Sequence, residues 1–146
     1  MFTFATDYFI LVFVASMGVI QIAASVGRLD GLLLVKAPLV ARILGLALVV
    51  APFIWFFTSG ERNINDYQGG LDANTQALFF FFGAGVGLVA TLLLSSLVNA
   101  RMSGGEPSPE SGMDVLKRTN YVRALALSLG YWWSNWRTQT KRYFSG

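Results

Sequence analysis

The chain contains neither cysteine nor histidine. Without cysteine it can form no disulfide, present no thiolate nucleophile and hold no iron–sulfur cluster through thiolates. Without histidine it lacks the commonest metal and haem ligand and the usual general base. Charge is scarce too: Asp, Glu, Lys and Arg make up 13% of 146 residues, about half the share in ordinary soluble domains. No P-loop, GxSxG or HExxH pattern occurs, and the GAGVG stretch lies inside an apolar run rather than after a strand. Catalysis, cofactor binding and metal binding are therefore not expected.

What fills the chain instead is apolar. Such residues reach 54%, with 12 Phe and 4 Trp and a mean hydropathy of +0.54. They are contiguous: no charge interrupts Tyr8 to Gly27, Ile43 to Gly60 or Ala73 to Ala100. Runs of about 18 or more apolar residues mark membrane-spanning helices. A soluble domain of this length has too few polar residues to cover three helices that are hydrophobic all round. The expectation is an all-α, polytopic membrane protein with three transmembrane helices, about Asp7 to Val26, Pro38 to Phe57 and Thr75 to Ala100. The first run reads as a retained span, because no basic residue precedes it and it exceeds the roughly 7–15 residues of a signal-peptide core. Arg42 stands at the end of the second span, where its methylenes can follow the helix and its guanidinium reach the interface.

Basic residues orient the spans. Their numbers run none before the first helix, three in the first loop (Arg28, Lys36, Arg42), one in the second (Arg62) and seven after Ala100. By the positive-inside rule this alternation puts the N-terminus outside and the C-terminus in the cytoplasm of an inner (plasma) membrane. The net charge of +3 fits attraction to anionic headgroups beside apolar spans; nucleic acid is not expected as a partner.

Within the spans, Gly83 and Gly87 form a GxxxG pair that Thr91 and Ser95 extend as a small face, which allows close backbone approach. It suits packing inside the three-helix unit or, alternatively, a seam between copies. Gln21 is the one amide deep in a span and should hydrogen-bond another helix. Pro52 should kink the second helix. The absence of Asp, Glu, Lys or Arg from the middle of any span argues against an ion-coupled transporter.

Residues 1–100 thus read as the membrane domain and 101–113, with "RMSGGEPSPESG", as a flexible polar linker. Residues 114–146 read as a cytoplasmic amphipathic helix, with Asp114 or Thr119 placed to cap it. At 100° per residue, Val122, Leu125, Leu129, Trp132, Trp133, Trp136 and Tyr143 share one arc, with Arg123, Arg137 and Lys141 opposite. Its uncharged stretch, Ala124 to Trp136, is too short to cross a bilayer. It suits an interfacial helix whose Trp and Tyr rings sit at headgroup depth with Arg137 and Lys141 toward phosphate. The rings could instead dock a partner subunit or fold back on the bundle.

The second loop, "GERNINDYQGGLDANTQ", gathers Glu61, Asp66 and Asp72, but its spacing matches no calcium loop. It reads as a connector with a turn at Gly69-Gly70 and a helix cap at Asp72 or Asn74. The expectation is a non-catalytic accessory, anchoring or assembly subunit whose partners are the lipid bilayer and other membrane subunits or copies of itself. The alternatives are a homo-oligomeric channel or lipid transporter packed through the glycine face, and a lipid-modifying enzyme using Asp66 or Asp72.

Overall fold

The computed structural model describes residues 4–60, 71–102 and 112–144; within the last helix, the side chains of 134, 135 and 137–144 lie outside that description. The described residues form four α-helices: α1 (Phe4–Val26), α2 (Pro38–Thr58), α3 (Ala73–Val98) and α4 (Tyr121–Phe144). Among the described residues two 3₁₀ turns stand between them, Asp30–Leu32 before α2 and Gly112–Lys117 before α4. The first three helices have 23, 21 and 26 residues and are apolar enough to span a membrane. At 1.5 Å per residue they measure about 31–39 Å, enough for a hydrocarbon core of about 30 Å. The chain is therefore a multi-pass membrane protein with three candidate spans.

Helix α1 is the centre. It packs against α2 on one side and α3 on the other, while α2 and α3 make little contact with each other. Both seams depend on glycine. A Cβ at Gly18 would lie 2.6 Å from the Gly45 carbonyl oxygen, and one at Gly45 would lie 2.8 Å from the Gly18 oxygen, so these backbones cross in direct contact. On the other face, a Cβ at Gly83 would meet Val12 Cβ at 3.0 Å and one at Gly87 would meet the Phe13 oxygen at 2.8 Å. With no hydrophobic force between helices in lipid, such close approach is what dispersion attraction requires.

Helix ends depart modestly from expectation. Asp72 caps α3, accepting the Thr75 amide at 2.6 Å. The cap of α4 is neither Asp114 nor Thr119: the Asn120 side chain accepts the Arg123 amide at 2.9 Å. Asp114 belongs to the separate 3₁₀ turn, where it pairs with Lys117 at 2.6 Å. Helix α2 continues past a buried Pro52 to Thr58. Helix α1 ends with Arg28 in the left-handed region at φ 54°, which lets the Leu29 amide reach back to the Ala24 carbonyl at 2.9 Å. This is a Schellman closure in which the position that favours glycine is held by arginine, one residue after Gly27.

The buried apolar cluster sits at one end of the bundle. Ala24, Leu32, Leu33, Ala41 and Leu116 meet there, with Leu29, Leu92, Tyr121 and Ala124 against them. At the opposite end rings join α1 to α2: Phe4 and Tyr8 lie 5.7 and 6.2 Å from Phe56.

Candidate functional site

A knot of polar side chains surrounds that buried cluster. Gln21 and Ser25 are one helical turn apart and so share a face of α1. Gln21 is fully buried; its Nε2 donates to the Leu32 carbonyl at 3.1 Å and its Oε1 accepts the Leu34 amide at 2.9 Å. The partner expected for this amide was a helix, and the structure supplies the backbone of the first loop instead. Ser25 Oγ donates to the Pro38 carbonyl at 2.8 Å and accepts Arg42 Nε at 3.1 Å.

The C-terminal end of α3 grips the same loop. Asn99, buried to 1% exposure, donates through Nδ2 to the Leu33 carbonyl at 2.7 Å and the Ser95 carbonyl at 2.9 Å. Asn120 Nδ2 donates to the Asn99 carbonyl at 3.2 Å, and the Val122 amide donates to Ser96 Oγ at 3.2 Å. Gly31 makes room for this junction: a Cβ there would overlap the Thr119 carbonyl oxygen and lie 2.8 Å from the Leu116 oxygen. The loop, α1, α3 and the start of α4 are thereby one hydrogen-bonded unit. Irregular backbone beside apolar helices needs such internal partners, because lipid offers none. Its members other than Arg42 are amides, hydroxyls and backbone groups, suited to fastening rather than proton transfer.

The remaining predicted packing residues fall on the α3 face toward α1. Gly83 and Gly87 form the seam described above, and Thr91, fully buried, donates its hydroxyl to the Gly87 carbonyl at 2.8 Å. The glycine face is thus covered within the chain. Sequence reasoning missed Gly45, Gly31, Asn99 and Asn120. A signal for Asn99 was present in Ser95, Ser96 and Asn99 clustering at one helix end, but what passes over them is not local information.

Helix α4 leaves the bundle after its first turns. Trp132, Trp133 and Trp136 are exposed at 64, 52 and 53%, with Trp133 and Trp136 tilted together at a centroid distance of 5.9 Å. The bundle does not cover them, so these three rings do not fold back on it. The side chains of Arg137, Lys141 and Tyr143 lie outside the described residues. Where α4 departs from α3 a crevice of about 520 Å³ opens between Leu93, Leu97, Val122, Ala126 and Arg123. A larger apolar cleft of about 950 Å³ lies between α2 and α3, floored by Val12, Ala15 and Ser16 of α1 and walled by Phe53, Phe57 and Phe80.

In the second loop, Glu61 and Asp66 lie outside the described residues. Asp72 is engaged as the α3 cap, and the Thr75 amide holds its carboxyl below the usual carboxylate range. Comparison with protein-family models, with curated proteins and with solved structures yields no match to this chain.

Proposed function

We propose that this membrane protein is a non-catalytic accessory, anchoring or assembly subunit of a larger membrane complex. It sits in an inner (plasma) membrane with its N-terminus outside and its C-terminus in the cytoplasm. The observation that carries the reading is the exposure of Trp132, Trp133 and Trp136 on α4, a helix whose first turn is fixed to the bundle through Asn120, Ser96 and Asn99. An aromatic, basic helix held at a set position on a small membrane bundle suits contact at the membrane–water boundary, to headgroups and to a neighbouring subunit. The orientation rests on the alternation of basic residues along the sequence, rich in the first loop and the tail and poor before α1 and in the second loop.

Self-association through the α3 glycine face is disfavoured, since α1 already occupies it. A lipid-modifying centre at Asp72 is disfavoured by its capping role. Crosslinking mass spectrometry on native membranes, using Lys117 and Lys141 as reactive amines, tests the proposal. Reproducible links to a different membrane protein support it and identify the host. Links confined to this chain or its copies reject it in favour of a homo-oligomer.

A further inference from the structure

We infer that the crevice between α3 and α4 binds the phosphate headgroup and upper acyl chain of an anionic phospholipid, with Arg123 as the phosphate ligand. The inference rests on the reading of α4 as an interfacial helix and extends it from general surface attraction to a defined site.

Three observations converge. The crevice measures about 520 Å³, inside the range of about 300–1,000 Å³ typical of small-molecule sites. Its walls are of two kinds: Leu93 and Leu97 from the last turns of a span face Val122 and Ala126 of α4, and the one charged lining residue is Arg123. The polar lining atoms of Ser96 and Asn120 are already engaged, accepting the Val122 and Arg123 amides. The Ser96 bond, with that from Asn120 Nδ2 to the Asn99 carbonyl, ties the two walls together, while the Asn120 oxygen caps α4, which leaves the headgroup to the guanidinium. Among the described residues no carboxylate pairs with Arg123, so its donors are available to an external acceptor. A planar fork of N–H donors matches phosphate geometry and charge.

The surroundings choose the sign of the ligand. Ten of the chain's eleven basic residues lie in the first loop with its Arg42 flank or in the tail, against four of its eight acidic ones. An amphiphile with a negative head and an apolar tail complements a site that is apolar along a span and basic at its end. Attraction of juxtamembrane basic residues to anionic lipid works in the same direction.

The test uses the whole protein in nanodiscs of phosphatidylcholine with a minority of phosphatidylglycerol, on a Trp55→Phe background so that fluorescence reports α4 alone. Native mass spectrometry counts retained phosphatidylglycerol, and quenching by brominated phosphatidylcholine reports insertion of the α4 tryptophans. Arg123→Gln, and Ala126→Phe filling the crevice, should each reduce retention about five- to tenfold. Exposed Arg118→Gln should change it less than about twofold. Quenching should persist throughout. Unchanged retention in both crevice variants, with quenching intact, overturns the site and leaves α4 interfacial. Loss in Ala126→Phe but not Arg123→Gln overturns the phosphate assignment. Absence of quenching in the parent protein defeats the interfacial reading and this inference with it. Crosslinks from a photoreactive group at position 126 to a protein segment in place of lipid also overturn it.

Discussion

Gly31→Ala should release α4 from the bundle while leaving three spans helical. The methyl group would overlap the Thr119 carbonyl oxygen and stand 2.8 Å from that of Leu116, whereas a carbon rarely approaches a carbonyl oxygen below about 3.3 Å. Both obstacles are backbone, so no rotamer change relieves the clash and the segment from Leu116 to Asn120 must move outward. Two hydrogen bonds already at 3.2 Å, from Asn120 Nδ2 to the Asn99 carbonyl and from the Val122 amide to Ser96 Oγ, would then break. Their loss costs about 1 kcal/mol each, and uncovering Leu116 adds about 1.5–3 kcal/mol. A total near 3–5 kcal/mol raises the population of the undocked state at least about a hundredfold. Hydrogen–deuterium exchange in nanodiscs, read at the Val122 amide, measures that opening directly. Gly85→Ala is the matched control, since its Cβ would meet nothing within 4 Å. Exchange at Val122 within about threefold of the parent in Gly31→Ala would refute the account of Gly31 as the seat of the junction.

Three further outcomes are expected. Gln21→Leu strips the Leu34 amide and Leu32 carbonyl of their buried partner; at about 1–3 kcal/mol per unsatisfied group, chemical denaturation in detergent should show a loss of that order, and a neutral result would contradict the knot. Gly87→Leu drives a side chain into the Phe13 carbonyl and should lower thermal stability by about 1–3 kcal/mol or more without altering the molecular mass by light scattering; a change of oligomeric state at unaltered stability would restore the seam between copies. The Asp72 carboxyl is held below the usual range by the Thr75 amide, so its contribution is complete above the unfolded-state value and disappears as pH falls through the lower folded-state value. Exchange at the Thr75 amide should therefore accelerate in acid beyond its intrinsic pH dependence, and Asp72→Ala should abolish that excess.

How much of this was legible follows from range. The three spans are runs of composition, so their number and approximate limits could be read directly, and Ala73 and Val98 differ from the expected Thr75 and Ala100 only where a cap decides the end. The α4 cap was missed because Asp114, Thr119 and Asn120 are all competent within a few residues, and local sequence does not say which one the chain commits. Asp114 is drawn to Lys117 across one turn, which leaves Asn120 to close the helix. The glycine face of α3 was visible as spacing, but its partner was not. Asn99 reaches a carbonyl 66 residues away, and Gly31 matters only because Thr119 passes over it. No window along the chain contains those facts.

The arrangement explains why two surfaces remain open in so small a protein. In lipid, helices associate where backbones come close or where polar groups find partners, since burying one apolar side chain against another gains little over burying it in acyl chains. This sequence places both resources around α1. Gly45 faces α1 from α2, Gly83 and Gly87 face it from α3, and Gln21 and Ser25 carry its polar contacts to the first loop and to α2. Between α2 and α3, where neither resource falls, Phe53, Phe57 and Phe80 line an open cleft. At the knotted end the same economy fixes α4 by its first turns and by Gly31, leaving its tryptophans without a covering helix. The open cleft and the open arc are thus consequences of where glycine and amide side chains fall.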